Sequence, residues 1–404
     1  MDRRLLVLAL GMFALGTDSF VVAGLLPEIA HGFNVGIGAA GQMTTVYALT
    51  YALLAPTIAA LAAHVPRKQL LLGGLAVFVI ANLGTAVAPT FALALATRAL
   101  AGLGAAMFGP TATGSATVIV PPERRGFAIS VVITGMTIST ALGAPIGAMI
   151  GSLSNWHWTM VFVAALAAAS GLGVLALLSH IPMPPPVSLA KRLAPLADTR
   201  VGLTLATTFL FMSAAMTIYT YLSVVFDRAI GGNPALLSSF LVLWGAAGTV
   251  SNLMVGRLVD SIGTRKVLVT MLSILIADFA LLPWTSAHLW TAIPAVIIWG
   301  ACGWGLLVPQ QHRIAGIAPA LAPLLMGLNN SASFLGTTAA GLIGAAGLQL
   351  VGSHELGFAA AILAAAALVV AELASRKIVA FNRANASSQN PVALPASASE
   401  RAKA

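Results

Sequence analysis

The sequence predicts an all-α membrane protein with twelve transmembrane helices in two six-helix halves, and three observations lead to this prediction. Of the 404 residues 59% are hydrophobic and only 8% are charged, whereas about a quarter of the residues of an average soluble domain carry a charge. The apolar segments recur in lengths of roughly 20 residues, which match a hydrocarbon core of about 30 Å. The third observation is the placement of the basic residues between those segments.

Six apolar segments precede a proline-rich polar stretch and six follow it. The first six lie near residues 5–29, 38–62, 69–88, 91–118, 127–152 and 158–179. The second six lie near residues 201–225, 235–257, 267–286, 289–310, 322–347 and 355–375. We therefore expect an N-terminal half of residues 1–179, a cytoplasmic linker of residues 180–200, a C-terminal half of residues 201–377 and a disordered cytoplasmic tail of residues 378–404.

The basic residues give the predicted orientation. With the N-terminus in the cytoplasm, 18 of the 20 lysines and arginines fall in cytoplasmic segments, as the positive-inside rule requires. Arg228 falls on the other side and Arg98 falls within the fourth span. We expect a multi-pass protein of the inner (plasma) membrane with both termini cytoplasmic, and the net charge of +9 then reflects contact with an anionic leaflet rather than with nucleic acid.

One loop motif occurs in both halves. The loop after the eighth span reads GRLVDSIGTRK, and the equivalent loop after the second span reads AALAAHVPRKQ. Glycine permits close helix contact, an acid can accept hydrogen bonds at a helix N-terminus, and the basic pair anchors the turn at the cytoplasmic face. A charged turn that only obeys topology is the alternative. The conformational latch predicted from these loops comprises Gly256, Asp260, Gly263, Arg265 and Lys266, together with Arg67 and Lys68 of the first half, where Ala63 replaces the acid.

Two spans of the first half carry further motifs. The fourth span, ALATRALAGLGAAMFGP, places Arg98 at membrane depth, where a charge is costly unless it is paired or faces water; a side chain that reaches the interface is the alternative. The fifth span, GMTISTALGAPIGAMIG, contains Gly143, Pro145 and Gly147. Small residues let helix backbones approach closely and proline lets a helix bend, although general helix packing would use the same residues.

These features resemble the major facilitator superfamily over residues 4–377, and Gly143, Pro145 and Gly147 of the fifth span resemble the motif of its members that export substrate in exchange for protons. The segments LGTDSFVVAGLLPEIA, YALTYALLAP and NWHWTMVF further resemble its drug:proton antiporter and arabinose, sugar and purine nucleoside efflux branch. The resemblance implies alternating access of a central site and export of a drug or metabolite in exchange for protons. An importer of a small nutrient or vitamin in the same fold remains an alternative, and a non-transporting membrane sensor is a third.

Proton coupling needs a titratable group inside the membrane. Asp18 in the first span and Asp278 in the ninth are the acids that fall well inside the spans. We predict that Asp18 carries the proton and that Arg98 modulates it, with a purely structural ion pair as the alternative. The role of Asp278 stays open, because the resemblance places its helix at the periphery.

Substrate contacts are expected on the helices that line the central cavity in the family. Aromatic and amide groups with few fixed charges suit a moderately apolar organic molecule that is neutral or weakly cationic. For each single residue a packing role is the alternative. The predicted cavity residues are Tyr47, Tyr51, Tyr219, Trp244, Gln310, Asn329 and Asn330.

Other function classes find no support in the sequence. The histidines have no metal-ligand spacing, and the glycine-rich segment of the fourth span lacks the lysine of a phosphate-binding loop. The single cysteine, Cys302, excludes an intramolecular disulfide and a four-cysteine metal site. We expect no enzymatic activity, no cofactor, no metal and no nucleic-acid partner. The expected partners are a small-molecule substrate, protons and membrane lipid, and we expect a monomer.

Overall fold

The computed structural model describes residues 2–179, 181–182 and 188–389, and these residues form helices joined by short turns without any strand. Twelve of the described helices are long and apolar enough to span a membrane. We label them α1 to α12. The first six are Arg3–Gly24, Ile37–Leu61, Arg67–Ala86, Phe91–Ile119, Arg125–Leu153 and Trp156–Leu177. The second six are Thr199–Thr220, Pro234–Ile262, Thr264–Thr285, Leu289–Ile317, Pro319–Leu350 and Leu356–Arg383.

The first span is shorter than the sequence suggests. Helix α1 ends at Gly24, and a separate helix occupies Leu26–Phe33, where we expected the span to continue to residue 29. Pro27 explains the break, because its ring would collide with the carbonyl four residues earlier in a continuous helix, whereas proline is well placed in the first turn of a new one. Helix α7 likewise ends at Thr220, before the expected boundary.

Both ends of the C-terminal half are helical and ordered. Asp198 caps α7: its Oδ1 atom accepts the backbone N–H of Arg200 at 2.8 Å, and the Arg200 guanidinium donates to Oδ2 at 2.7 Å. The Arg200 side chain holds the pKa of Asp198 below its usual range. The last helix continues past Lys377 to Gln389, so residues 378–389 are helical, contrary to the expected disorder. The rest of that tail lies outside the described residues.

The two halves repeat one packing pattern. In the first half α1 packs against α5 and α6, α2 against α4, and α3 against α4 and α6. In the second half α7 packs against α11 and α12, α8 against α10, and α9 against α10 and α12. Close contacts need small residues: the backbones of α3 and α4 meet at Gly74 and Gly104, where an added methyl group would lie 2.7 Å from the Gly74 carbonyl oxygen.

Contacts between the halves concentrate away from the linker. We call the end of the bundle where α1 and α7 begin the linker end and the opposite end the far end. Helix α2 packs along α11, and α5 packs along α8. At the far end Gln42 donates to the Gly341 carbonyl at 3.3 Å, and Gly38 lies against Ala345. Within the described residues no hydrogen bond or ion pair joins the helices of the two halves at the linker end.

Helix α5 changes its winding in the middle. Residues Ser139–Gly143 form a π-turn between two α-helical segments, Arg125–Ile138 and Ala144–Leu153. Pro145 has no N–H to donate to an earlier carbonyl, so a regular α-helical ladder cannot pass through it. A π-turn inserts one extra residue and is frequent at functional sites. In this protein it faces α8, because the Thr140 carbonyl oxygen lies 2.5 Å from where a Cβ of Gly245 would stand.

Candidate functional site

A buried ion pair joins α1 to α4. The Arg98 Nη1 atom donates to Asp18 Oδ1 at 2.6 Å, and Arg98 Nη2 donates to the Asp18 backbone carbonyl at 3.4 Å. Both side chains are essentially fully buried, with relative exposures of 1% for Arg98 and 0% for Asp18. Arg98 therefore does not reach the interface, which removes the sequence alternative of a side chain extended toward the headgroups.

The ion pair is only partly satisfied. Asp18 Oδ2 and Arg98 Nε are buried and have no hydrogen-bond partner among the described residues. The guanidinium lies over the Tyr47 ring at 4.8 Å from its centroid, which adds a cation–π contact. Asn82 of α3 lies beside Asp18 and donates to the Phe78 carbonyl at 3.1 Å.

A second group of candidate residues is aromatic and lies where the halves meet. Tyr219 and Trp244 pack against each other with ring centroids 4.3 Å apart and ring planes tilted by 40°. Phe20 of α1 contacts both, and Trp299 and Trp304 of α10 complete the group. The Tyr219 hydroxyl donates to the Phe20 carbonyl at 3.0 Å. We call these five residues the aromatic cluster; it begins two residues beyond Asp18 on α1.

A third group is polar and lies inside the second half. Thr208 Oγ1 donates to Asn329 Oδ1 at 2.7 Å, and Gln310 Nε2 donates to Thr208 Oγ1 at 3.1 Å and to the Thr204 carbonyl at 3.1 Å. Gln310 and Asn329 are buried, and Gln310 Oε1 has no described partner. The bond to Thr208 places Asn329 within its own half in this conformation. Its neighbour Asn330 instead donates to the Tyr51 hydroxyl of the first half at 3.1 Å.

The residues of the predicted latch lie at the linker end. Asp260 is exposed and has no hydrogen-bond or ion-pair partner in the described part of the chain, and neither has Lys266. Gly263 ends α8 with a φ of 88°, a conformation that favours glycine. Arg265 pairs with Glu372 of α12, with Nε 3.0 Å from Oε1, so its partner belongs to the same half. Arg67 is half-buried against Gly114, and Lys68 Nζ donates to the Leu175 carbonyl at 2.9 Å.

Both glycines of the α5 motif face α1. A Cβ at Gly143 would overlap the Thr17 hydroxyl, and a Cβ at Gly147 would lie 2.5 Å from Val21. Pro145 follows the π-turn in the first turn of the segment Ala144–Leu153. The motif therefore sits between α1, which carries Asp18, and α8, which carries Trp244.

The structure thus distributes the predicted site residues over several separate groups rather than along one cavity wall. Sequence reasoning missed Asn82, although a lone amide inside an apolar span is a usable signal. It also left Phe20 and Trp299 unassigned, because aromatic side chains are common in any membrane helix. Among the described residues no group of three histidine, cysteine, aspartate or glutamate side chains could hold a metal ion. Asp278 is buried, and its Oδ2 atom has no described partner.

Comparison with known proteins decides the family. The family model described as Major Facilitator Superfamily matches residues 8–319. The chain belongs to the major facilitator superfamily. It is 30% identical to the inner membrane transport protein YdhP of Escherichia coli (strain K12), with 92% of this chain and 96% of the relative covered. It is 31% identical to a chloramphenicol resistance protein of Streptomyces lividans, again with 92% and 96% covered.

Solved structures agree on the fold of this superfamily member. A bacterial homologue of the human lysosomal transporter Spinster, in an inward-facing and occupied conformation, matches with a TM-score of 0.74 at 19% identity. The match covers 92% of this chain and 96% of that one. The predicted fold class and family are confirmed: the protein has the twelve-helix fold of superfamily transporters, which sit in membranes and bind small molecules.

Proposed function

We propose that this protein is a proton-coupled exporter that moves a small organic molecule out of the cell across the inner membrane by alternating access. The Asp18–Arg98 pair is the observation that carries the proposal. A buried charge pair is expensive in a membrane interior and is a weak source of stability. Its presence beside the contact between the halves is better explained by a working role in proton exchange.

In this mechanism Asp18 carries the proton and Arg98 sets the free-energy difference between the two states. Protonation at Oδ2 removes the negative charge, and the guanidinium is then left without a counter-charge in a dry environment, which is unfavourable. Helix arrangements that give Arg98 access to water become favoured. Because Asp18 lies on α1 next to the aromatic cluster, substrate binding at the halves' contact and proton binding at Asp18 would act on the same helix.

The conformation of the structure fits one state of such a cycle. The halves touch at the far end and in the middle, and we assign the linker end to the cytoplasm from the basic residues there. The structure then represents a state that is closed toward the outside. The latch residues Asp260 and Lys266 are unpaired in this state, and we propose that they engage in the opposite, outward-open state.

Two features support export. The motif of α5 resembles that of proton-exchanging exporters, and one relative is a chloramphenicol resistance protein. Inner-membrane localisation is supported by the relative YdhP. We therefore propose toxic organic compounds as the substrate class and chloramphenicol as the first compound to test.

Transport into inside-out membrane vesicles tests this function. With an acidic lumen, vesicles containing the wild-type protein should accumulate labelled chloramphenicol, and a protonophore should abolish the accumulation. Vesicles with Asp18→Asn should show only the signal of empty vesicles, whereas Asp227→Asn, which changes an exposed acid, should behave like wild type. Absence of proton-driven accumulation by the wild type, or accumulation by intact cells instead, would overturn the proposal, and the latter would identify an importer.

A further inference from the structure

The three tryptophans of the aromatic cluster share an unusual feature. The indole nitrogens of Trp244, Trp299 and Trp304 are all shielded from solvent, and none has an acceptor among the described residues. Trp244 and Trp299 are 0% and 1% exposed. A buried donor without an acceptor costs free energy, and tryptophan N–H groups normally find a partner when buried. Three such donors in one contact group therefore point to an acceptor supplied from outside the chain.

The contacts within the cluster provide no hydrogen-bond acceptor for the three indole N–H groups. The centroid of the Trp244 ring lies 5.4 Å from that of Trp299 and 5.5 Å from that of Trp304, with tilted planes. The one polar group of the cluster that is satisfied is the Tyr219 hydroxyl, which bonds the Phe20 carbonyl. The cluster thus offers several aromatic faces and three hydrogen-bond donors, and its one side-chain acceptor, the Tyr219 hydroxyl oxygen, receives none of the three.

Phe20 is the one member of the cluster that the first half contributes. It belongs to α1 of the first half, whereas the other four residues belong to α7, α8 and α10 of the second half. Its ring contacts Tyr219 at 5.5 Å and Trp304 at 5.6 Å. A separation of the halves at this level, as the proposed cycle requires, would remove Phe20 from these faces, and a ligand ring of similar size could then take its position.

Close contacts between α8 and α10 support the cluster residues of the second half. Trp304 packs directly on Gly248, where a methyl group would overlap its ring. The Trp244 carbonyl oxygen lies 2.5 Å from where a Cβ of Gly300 would stand. The first contact holds the Trp304 ring against α8, and the second holds the backbones of α8 and α10 close together, so the donors stand on two tightly packed helices and are partly preorganised.

We propose that the aromatic cluster binds a planar aromatic molecule that carries acceptor oxygens, such as nitro or carbonyl groups, with the ligand ring in the position of Phe20 and its oxygens accepting from the indole N–H groups. This inference rests on the proposed function, since it names the class of transported substrate. It also narrows that class: an aromatic molecule without acceptors leaves the three donors unpaired and binds less tightly. The neutral, acceptor-bearing alternative is thus favoured over an organic cation.

Equilibrium binding to the purified full-length protein in lipid nanodiscs tests the proposal. The probes are labelled chloramphenicol, which has nitro and amide oxygens, and tetraphenylphosphonium, an aromatic cation without acceptors. Replacing an indole by phenyl in Trp244→Phe, Trp299→Phe and Trp304→Phe keeps an aromatic face and removes the N–H. At least two of these variants should bind chloramphenicol about fivefold to tenfold more weakly than wild type, as the loss of one buried hydrogen bond predicts.

The controls separate donor loss from disturbed packing. Trp290→Phe changes an indole that is 83% exposed and should leave chloramphenicol affinity unchanged. Tetraphenylphosphonium should bind more weakly than chloramphenicol to the wild type, and its affinity should be the same in the three cluster variants. In protein labelled with nitrogen-15 at the indoles, chloramphenicol should shift the proton resonances of the cluster tryptophans downfield and leave that of Trp290 in place.

Three results would overturn the proposal: no saturable binding of chloramphenicol to the wild type, equal chloramphenicol affinity in wild type and all three variants, or equal weakening for both probes. The proposed function fails on a different measurement. If the variants bind chloramphenicol more weakly but wild-type vesicles show no proton-driven accumulation, the binding site is retained and the exporter function is rejected. If the wild type exports chloramphenicol but the variants bind it as tightly as wild type, the exporter function is retained and the binding site is rejected.

Discussion

At the scale of single residues, the Asp18–Arg98 pair shows what a sequence can reveal about a membrane interior. Charges are so rare within the spans that an acid on α1 and a base on α4 predict each other as partners, and the structure places them 2.6 Å apart. Asn82 was missed as their neighbour: a lone amide marks the inward face of α3, but it does not indicate which residues that face meets. The role of the pair in proton transfer stays a prediction.

Removing one member of this pair should be far more harmful than removing both. Arg98→Leu leaves the Asp18 carboxylate buried without a counter-charge, and we expect a loss of about 3 kcal/mol or more in unfolding free energy. The double change Asp18→Leu with Arg98→Leu should recover most of that loss, because apolar side chains replace a buried ion pair at little cost. Unfolding titrations in mixed micelles measure both values.

An exposed pair provides the matched control for this comparison. Arg4 pairs with Asp2 at 2.7 Å, but the two side chains are 39% and 28% exposed. Arg4→Leu should therefore change the unfolding free energy by less than about 1 kcal/mol. If Arg98→Leu were no more destabilising than Arg4→Leu, the buried pair would not hold an ionised carboxylate.

At the scale of elements, the spans were predictable and the break within α5 was not. Length and hydropathy set the twelve helices, since a helix must be long enough to cross the hydrocarbon core. The π-turn at Ser139–Gly143 leaves no mark in hydropathy, and Pro145 indicated only that α5 could bend. Pro27 was available as a stop signal for α1, and the apolar run around it concealed the break.

The glycines next to the π-turn should tolerate no side chain. Gly143→Ala forces a methyl group into the Thr17 hydroxyl, and Gly245→Ala forces one against the Thr140 carbonyl. Each change should separate α5 from its neighbour and lower the melting temperature of the purified protein. Gly327→Ala is the control, because a Cβ there meets nothing within 4 Å and alanine favours helix; its melting temperature should equal that of wild type or exceed it. Equal melting temperatures for all three variants would contradict the close packing of α5.

The loop motif of the second half offers a different element-scale prediction. Asp260 is exposed and unpaired in this conformation, so Asp260→Ala should leave its stability unchanged while it slows transport, because the latch proposed for the other state is lost. Glu123→Ala, which removes an exposed acid from the corresponding end of the first half, is the control and should transport at the wild-type rate. Equal transport rates for wild type and Asp260→Ala at matched expression would rule out a latch at this residue.

At the scale of the whole molecule, the sequence predicts the fold, because its two six-helix halves can be recognised from the apolar segments. It does not predict the conformation. In the proposed alternating-access cycle one sequence encodes both conformations, so no sequence pattern states which end is closed. The structure supplies that information through contacts such as Gln42 with Gly341 and Gly38 with Ala345. It also separates the predicted cavity residues into groups, because Asn329 bonds within its half while Asn330 reaches across to Tyr51.

A disulfide across the far end should arrest the protein. In a Gly38→Cys, Ala345→Cys variant a Cβ at position 38 would be 3.2 Å from that of Ala345, so a small backbone shift brings the pair to the roughly 3.5–4.5 Å of natural disulfides. Oxidation should stop transport and reduction should restore it. The native Cys302 is buried, and each single-cysteine variant should remain active under oxidant. Full transport by the cross-linked protein would mean that the far end need not open.

The most direct test of the central claim is substrate-induced proton release from the purified protein. If substrate binding and protonation of Asp18 oppose each other, chloramphenicol added to a weakly buffered wild-type sample near neutral pH should release protons, up to about one for each molecule bound, because linkage between two sites is reciprocal. Asp18→Asn should bind chloramphenicol and release none. Equal proton release by wild type and Asp18→Asn would show that the coupling group lies elsewhere and would contradict the account.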